Sequence, residues 1–238
     1  MLIWVILFGS ISAALFLYAR HQPFPEHGKI AGFIFAFTAL VLFIAIGSPR
    51  PTAETVPPLL AIVLGGWFVI IGGYHMGRTE RDVIVAPFSG IILVSGIFGL
   101  VTLGWTEQTT TEQIGNFVIA SIFVLLEIYL LFRGLVVGIK GITWSKSGLR
   151  QLERGLIFGD HGAISHFERS WDMEDPALSA MAHSALALIY QSNNDGEQYE
   201  IHIKKLDRFG GWDSVDSSWL EAINSRLNVN ASMNFSEE

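Results

Sequence analysis

A carboxylate interrupts an otherwise apolar run: in FVLLEIYLLFRG, residues 123–134, only Glu127 and, near the end, Arg133 carry charge. At the centre of a membrane helix such a carboxylate costs roughly 2.5–3.5 kcal/mol unless it is protonated or paired. Two chemistries fit it. It marks a proton, ion or substrate path, or it is a hydrogen-bonded acid that joins helices, with Tyr129, Tyr74 or Thr38 as partners. Arg133 lies six residues on, roughly on the opposite face, and is expected to reach the inner membrane interface as an anchor instead of pairing with Glu127.

Other residue types suited to chemistry are sparse. With no cysteine, thiolate nucleophiles, disulfides and thiolate zinc sites are excluded. His21, His27, His75, His161, His166, His183 and His202 form no HExxH pair, and the spacing of His161 and His166 matches no common ligand motif. Neither a GxxxxGK[ST] phosphate loop nor a GxSxG elbow is present. The sequence thus points to no catalytic residue, no metal and no cofactor, and the chain is not expected to be an enzyme.

What must position Glu127 is a set of membrane helices. Half the 238 residues are hydrophobic, only 16% are charged, and the mean hydropathy is +0.43, values unusual for a soluble domain. Crossing the hydrocarbon core takes about 20 apolar residues. Five stretches approach that length, at about 2–18, 30–47, 59–74, 87–104 and 117–137. Short polar or proline-rich loops join them. Arg20, Lys29, Arg78 and Arg81 fall in the first and third loops, and Arg133, Lys140, Lys146 and Arg150 lie at and after the end of the fifth span. Because basic residues stay on the cytoplasmic side, the N-terminus is expected outside and the C-terminal part in the cytoplasm. The first span lacks a basic leader and a clean small-x-small cleavage site, and reads as retained. Trp4, Trp105 and Trp144 are expected as interfacial anchors. Small residues recur at four-residue spacing (Gly28, Gly32 and Ala36; Ser95 and Gly99; Gly134 and Gly138), and Gly65, Gly66, Gly72 and Gly73 repeat at seven, which predicts close helix packing.

Composition changes near Trp144. The 15 acids and 8 bases that follow it account for the whole net charge of −7, which disfavours nucleic acid as a partner. Apolar stripes recur at helical spacing: Ala163, Ile164, Phe167 and Trp171; Ala182, Ala185, Leu186 and Ile189; Tyr199, Ile203 and Leu206; Trp219, Leu220, Ile223 and Leu227. Asp175-Pro176 marks a helix start, while Asn193-Asn194-Asp195-Gly196 and Gly210-Gly211 separate stripes. The reading is a run of short antiparallel helices over residues 145–227, then a disordered tail, 228–238. Asn230 and Asn234 sit in glycosylation-type triplets that the expected topology leaves in the cytoplasm.

GDHGAISHFERSWDMEDP, residues 159–176, resembles the second helix and exit of a tetratricopeptide repeat, with Ala163, Phe167, Ser170 and Pro176 matching in kind. ALSAMAHSALALIYQSNND is similar to a repeat's first helix, with Leu186, Ala187 and Tyr190 in the places of the usual Leu, small residue and Tyr. The Asp160–Ala163 spacing is one residue short, and the helix expected over Ser147–Phe158 lacks the small and aromatic pattern. The resemblance covers about 80 residues and implies a helical-hairpin module that binds proteins, with Ala163, Phe167, Trp171, Leu186, Ala187 and Tyr190 packing it.

The fold class expected is therefore all-α: a polytopic membrane protein with five transmembrane helices, residues 1–144, followed by a small cytosolic helical-hairpin domain. The function expected is a membrane-anchored scaffold or accessory subunit of a larger membrane complex. Its partners would be other membrane subunits and the lipid bilayer, with a homo-oligomer also open. The alternative is a small transporter or channel subunit that uses Glu127.

Overall fold

The computed structural model describes residues 1–79, 81–171 and 175–234, with side chains up to Asn228. Among these residues every regular element is helical. The chain divides into two compact units, Met1–Ile139 and Lys140–Glu238. The break falls ahead of the one expected after Trp144 because a helix already opens at Gly141.

The first unit holds α1 (Leu2–Ala19), α2 (Glu26–Ile46), α3 (Val56–Tyr74), α4 (Val85–Thr102) and α5 (Thr110–Leu131). π-Helical turns prolong α3 over His75–Thr79 and α5 over Phe132–Val137. With these extensions, all five helices are long and apolar enough to cross a membrane. Local chemistry sets several of the ends. Pro57 and Pro58 occupy the first turn of α3, where missing N–H groups cost nothing. At the start of α5, Thr109 and Glu112 form a reciprocal capping box.

Packing in this unit runs mainly between chain neighbours, α1 on α2 and α3 on α4, with α5 laid on α4. Phe8, Leu15, Phe35, Ile84 and Ile92 are fully buried at its centre. The expected small-residue rows divide by face. A Cβ at Gly65 would sit 2.6 Å from the Leu93 backbone nitrogen, and one at Gly72 would strike that of Ala86, so α3 and α4 touch backbone to backbone. Gly66 and Gly73, one position on, face open space or only a distant side chain. Gly32 receives the Phe16 ring and, through its carbonyl, the Ser12 hydroxyl at 2.7 Å. Gly99 lies under the ring of Trp4, near the start of α1, so α1 and α4 touch there.

The second unit comprises α6 (Gly141–Glu153), α7 (Ala163–Ser170), α8 (Pro176–Ser192), α9 (Gly196–Asp207) and α10 (Ser217–Asn234). Asp175 accepts N–H bonds from Ala177 and Leu178 at the start of α8, and Asp195 accepts one from Gln198 at the start of α9. Gly210 and Gly211, both at positive φ, turn the chain out of α9. α6 packs on α7 and α8 on α9, while α10 lies against α6 and α8. The Trp219 indole N–H donates to the Met181 carbonyl at 2.9 Å, tying α10 to α8.

Several expectations are corrected here. The helix expected over Ser147–Phe158 runs from Gly141 to Glu153 instead, and α10 continues to Asn234, where disorder was expected from residue 228. No Gly or Pro follows Leu227 to stop that helix. The last four residues of the expected tail, 235–238, lie outside the described residues. Trp144 is buried, with the Arg169 guanidinium 5.0 Å over its ring and His166 edge-on at 5.2 Å. It belongs to the core of the second unit and is not exposed as an interfacial anchor would be. The third stripe turns inward through His202 and Leu206, leaving Ile203 only partly covered.

Candidate functional site

α5 meets α4 through a narrow face: Ala120, Glu127, Leu130 and, in the π-helical turn, Gly134 are its buried residues. Most other apolar side chains of α5, including Ile122, Leu125 and Ile128, point outward. Glu127 is therefore turned toward protein and is 7% exposed. Its carboxyl rests on Gly90 of α4, at the place any Cβ there would occupy. Neither oxygen has a hydrogen-bond partner among the described residues, and the buried Ser89 hydroxyl, next along α4, has none either. α4 itself carries no titratable residue.

The partners expected for a helix-joining acid are engaged or directed elsewhere. Thr38 donates to the Ile34 carbonyl at 2.8 Å, and Tyr74 and Tyr129 are exposed. Arg133 donates to the Gly138 carbonyl at 3.3 Å, inside its own segment. An acid buried without a donor bears the full desolvation cost of its charged form.

A second polar group gathers where α1 meets α2 and α3 meets α4. The His27 and His75 rings stack at 3.9 Å, Arg81 lies 5.6 Å over the Phe24 ring, and the His75 Nδ1 contacts the Thr79 hydroxyl at 3.1 Å. Asp82 is fully buried. One of its oxygens accepts N–H bonds from Ile84 (3.0 Å) and Val85 (2.8 Å) at the start of α4, and the other has no partner among the described residues. Burial pushes the Asp82 carboxyl up, against the opposing pull of those two N–H groups and of His75. No motif signals this cluster, because its members come from two segments some fifty residues apart, around the α1–α2 and α3–α4 connections.

In the second unit a groove of about 380 Å³ is lined by Glu168, Trp171, His183, Gln198, His202 and Lys205. His183 and His202 meet through their Nδ1 atoms at 3.2 Å. The Phe209 ring stacks on His183 and the Tyr190 ring on His202. Burial first, then the repulsion of a second positive charge by His202 at His183 and by Lys205 at both rings, pushes both imidazoles down to about 4, so the pair is neutral at physiological pH. His166 is likewise held at about 4, chiefly by burial, and hydrogen-bonds the Ser147 hydroxyl at 2.8 Å.

Of the packing residues expected here, Ala163, Phe167, Leu186 and Ala187 are buried, and Tyr190 packs through its ring. Trp171 differs. It follows the end of α7 in extended conformation, is 44% exposed, and forms a groove wall with the Lys205 ammonium 5.5 Å over its ring.

Among the described residues no group of three or more His, Asp or Glu is placed to hold a metal ion. No protein-family model, curated protein or solved structure matches the chain.

Proposed function

We propose that this protein is a membrane-anchored scaffold or accessory subunit of a larger membrane complex, with the second unit facing the cytoplasm as a tetratricopeptide-like module for a protein partner. The observation that carries this reading is the groove bounded by α7, α8 and α9. Exposed Trp171 offers flat apolar area, Lys205 and Glu168 offer opposite charges, and Gln198 offers an amide, the mixture that peptide-binding surfaces use. The acidic surplus after Trp144 argues for a protein over a nucleic acid. The full chain, tagged at its C-terminus and extracted in mild detergent, should recover a stoichiometric membrane-protein partner, and Trp171→Ala with Lys205→Glu should lose it. A monomer that recovers nothing would refute the reading.

A second reading, a small transporter or channel subunit, draws support from the buried, unpartnered carboxyl of Glu127. Flux into proteoliposomes that Glu127→Gln leaves unchanged would count against it.

A further inference from the structure

We propose that Glu127, laid on Gly90, is a proton-binding site that exchanges its proton with the surrounding medium. Three observations converge on it. Among the described residues the carboxyl is the only acidic group buried between α4 and α5, and it occupies space that glycine alone leaves free. It has neither a hydrogen bond nor a cation to fix its charge: the conceivable hydroxyl partners lie elsewhere, Arg133 is bound to Gly138, and α4 has nothing titratable. The helix that carries it is the least buried of the five candidate spans.

An acid serving only to join helices would use its oxygens on the neighbouring helix, and here both are unused. What remains is the reaction a lone carboxyl performs unaided: the acid releases a proton to water and the carboxylate takes one back. The Ser89 hydroxyl, next to Gly90 along α4, is buried and itself without a hydrogen-bond partner among the described residues, and it makes no bond to Glu127. Asp82 lies three residues ahead of the start of α4 and eight residues before Gly90, with its bonded oxygen held by Ile84 and Val85. It is thus a separate group. The proposal is independent of the scaffold reading and does not require net transport.

Infrared difference spectroscopy of the full chain in lipid vesicles tests it, with spectra taken as the medium is cycled between acid and alkali. A carbonyl stretch of a protonated carboxyl should appear and vanish reversibly with pH, shift in heavy water, and be missing from Glu127→Gln. Asp82→Asn identifies any band belonging to Asp82. A band that Glu127→Gln removes but that no pH alters would make Glu127 a permanently neutral joint and overturn the proposal. Identical spectra for the wild type and Glu127→Gln would overturn it too. Should Glu127→Gln not fold, Glu127→Asp keeps the acid on a shorter stem and must move the band, and a band left in place would overturn the proposal equally.

Discussion

Acid should unfold the second unit well before its carboxylates are titrated. His166, His183 and His202 are each held at about 4 in the folded chain, against 6.5 for an unperturbed histidine. The unfolded chain therefore binds these protons first. The stabilisation is complete above pH ~6.5 and is lost as pH falls from there toward 4. At pH ~5 an unfolded histidine is almost fully protonated and a folded one almost not at all, which costs about 2 kcal/mol each at ~1.4 kcal/mol per pH unit. Three independent groups would cost about 6 kcal/mol, and because His183 and His202 share a contact and titrate together, about 4–6 kcal/mol is expected.

Such a loss consumes a large part of a typical domain's stability. The assay is denaturant unfolding of the full chain in mild detergent at steps between pH ~7.5 and ~5. Emission from Trp144, Trp171, Trp212 and Trp219 reports on the second unit once Trp4, Trp67 and Trp105 are replaced by Phe. His166→Gln should flatten the profile by about 2 kcal/mol, and His183→Gln or His202→Gln by about 1–2 kcal/mol because the pair shares its protonation. Stability that stays level from pH ~7.5 to ~5, or a triple His→Gln variant with the wild-type slope, would refute the reasoning.

Gly65→Ala should destabilise the first unit by about 3 kcal/mol or more, because the new Cβ meets the α4 backbone at Leu93, which cannot turn aside; thermal unfolding in detergent reads this directly. Gly90→Ala should cost only about 1 kcal/mol, since the Glu127 carboxyl it displaces ends a flexible side chain, and Glu127→Ala in the same chain should recover most of that loss in a double-mutant cycle. Trp219→Phe keeps the ring against Phe167 but removes the donor to Met181, and should lower second-unit stability by about 1 kcal/mol in the same fluorescence assay.

Apolar run length made the five long helices legible in the sequence, while their ends were less so. α3 begins at Val56, three residues ahead of its expected start, because proline suits a first helical turn, and a π-helical turn carries the segment on to Thr79. Glu127 was legible because a single charge in an apolar run stands out at any register. Its landing place on Gly90 depends on how α5 is rotated against α4, which no periodicity fixes. Repeat spacing alone could not say which glycines of α3 face a neighbour: Gly65 and Gly72 do, and Gly66 and Gly73 do not. Trp171 misled as a packing residue because helical spacing was extended one position past Ser170, where α7 stops and the side chain swings off the stripe. His183 and His202 stand nineteen residues apart on different helices, and only the pairing of α8 with α9 brings their rings together.

The neighbour-to-neighbour packing of the first unit bears on how the chain is made. α1 can close on α2, and α3 on α4, as soon as each second member has left the ribosome, without waiting for distant sequence. α5, synthesised last of the five, finds its docking face on α4 already formed, Gly90 included, and adds its acid to a finished surface. Truncation after Thr102 would thus leave both early pairs intact, and the nascent protein would become able to carry a buried proton only once α5 is in place.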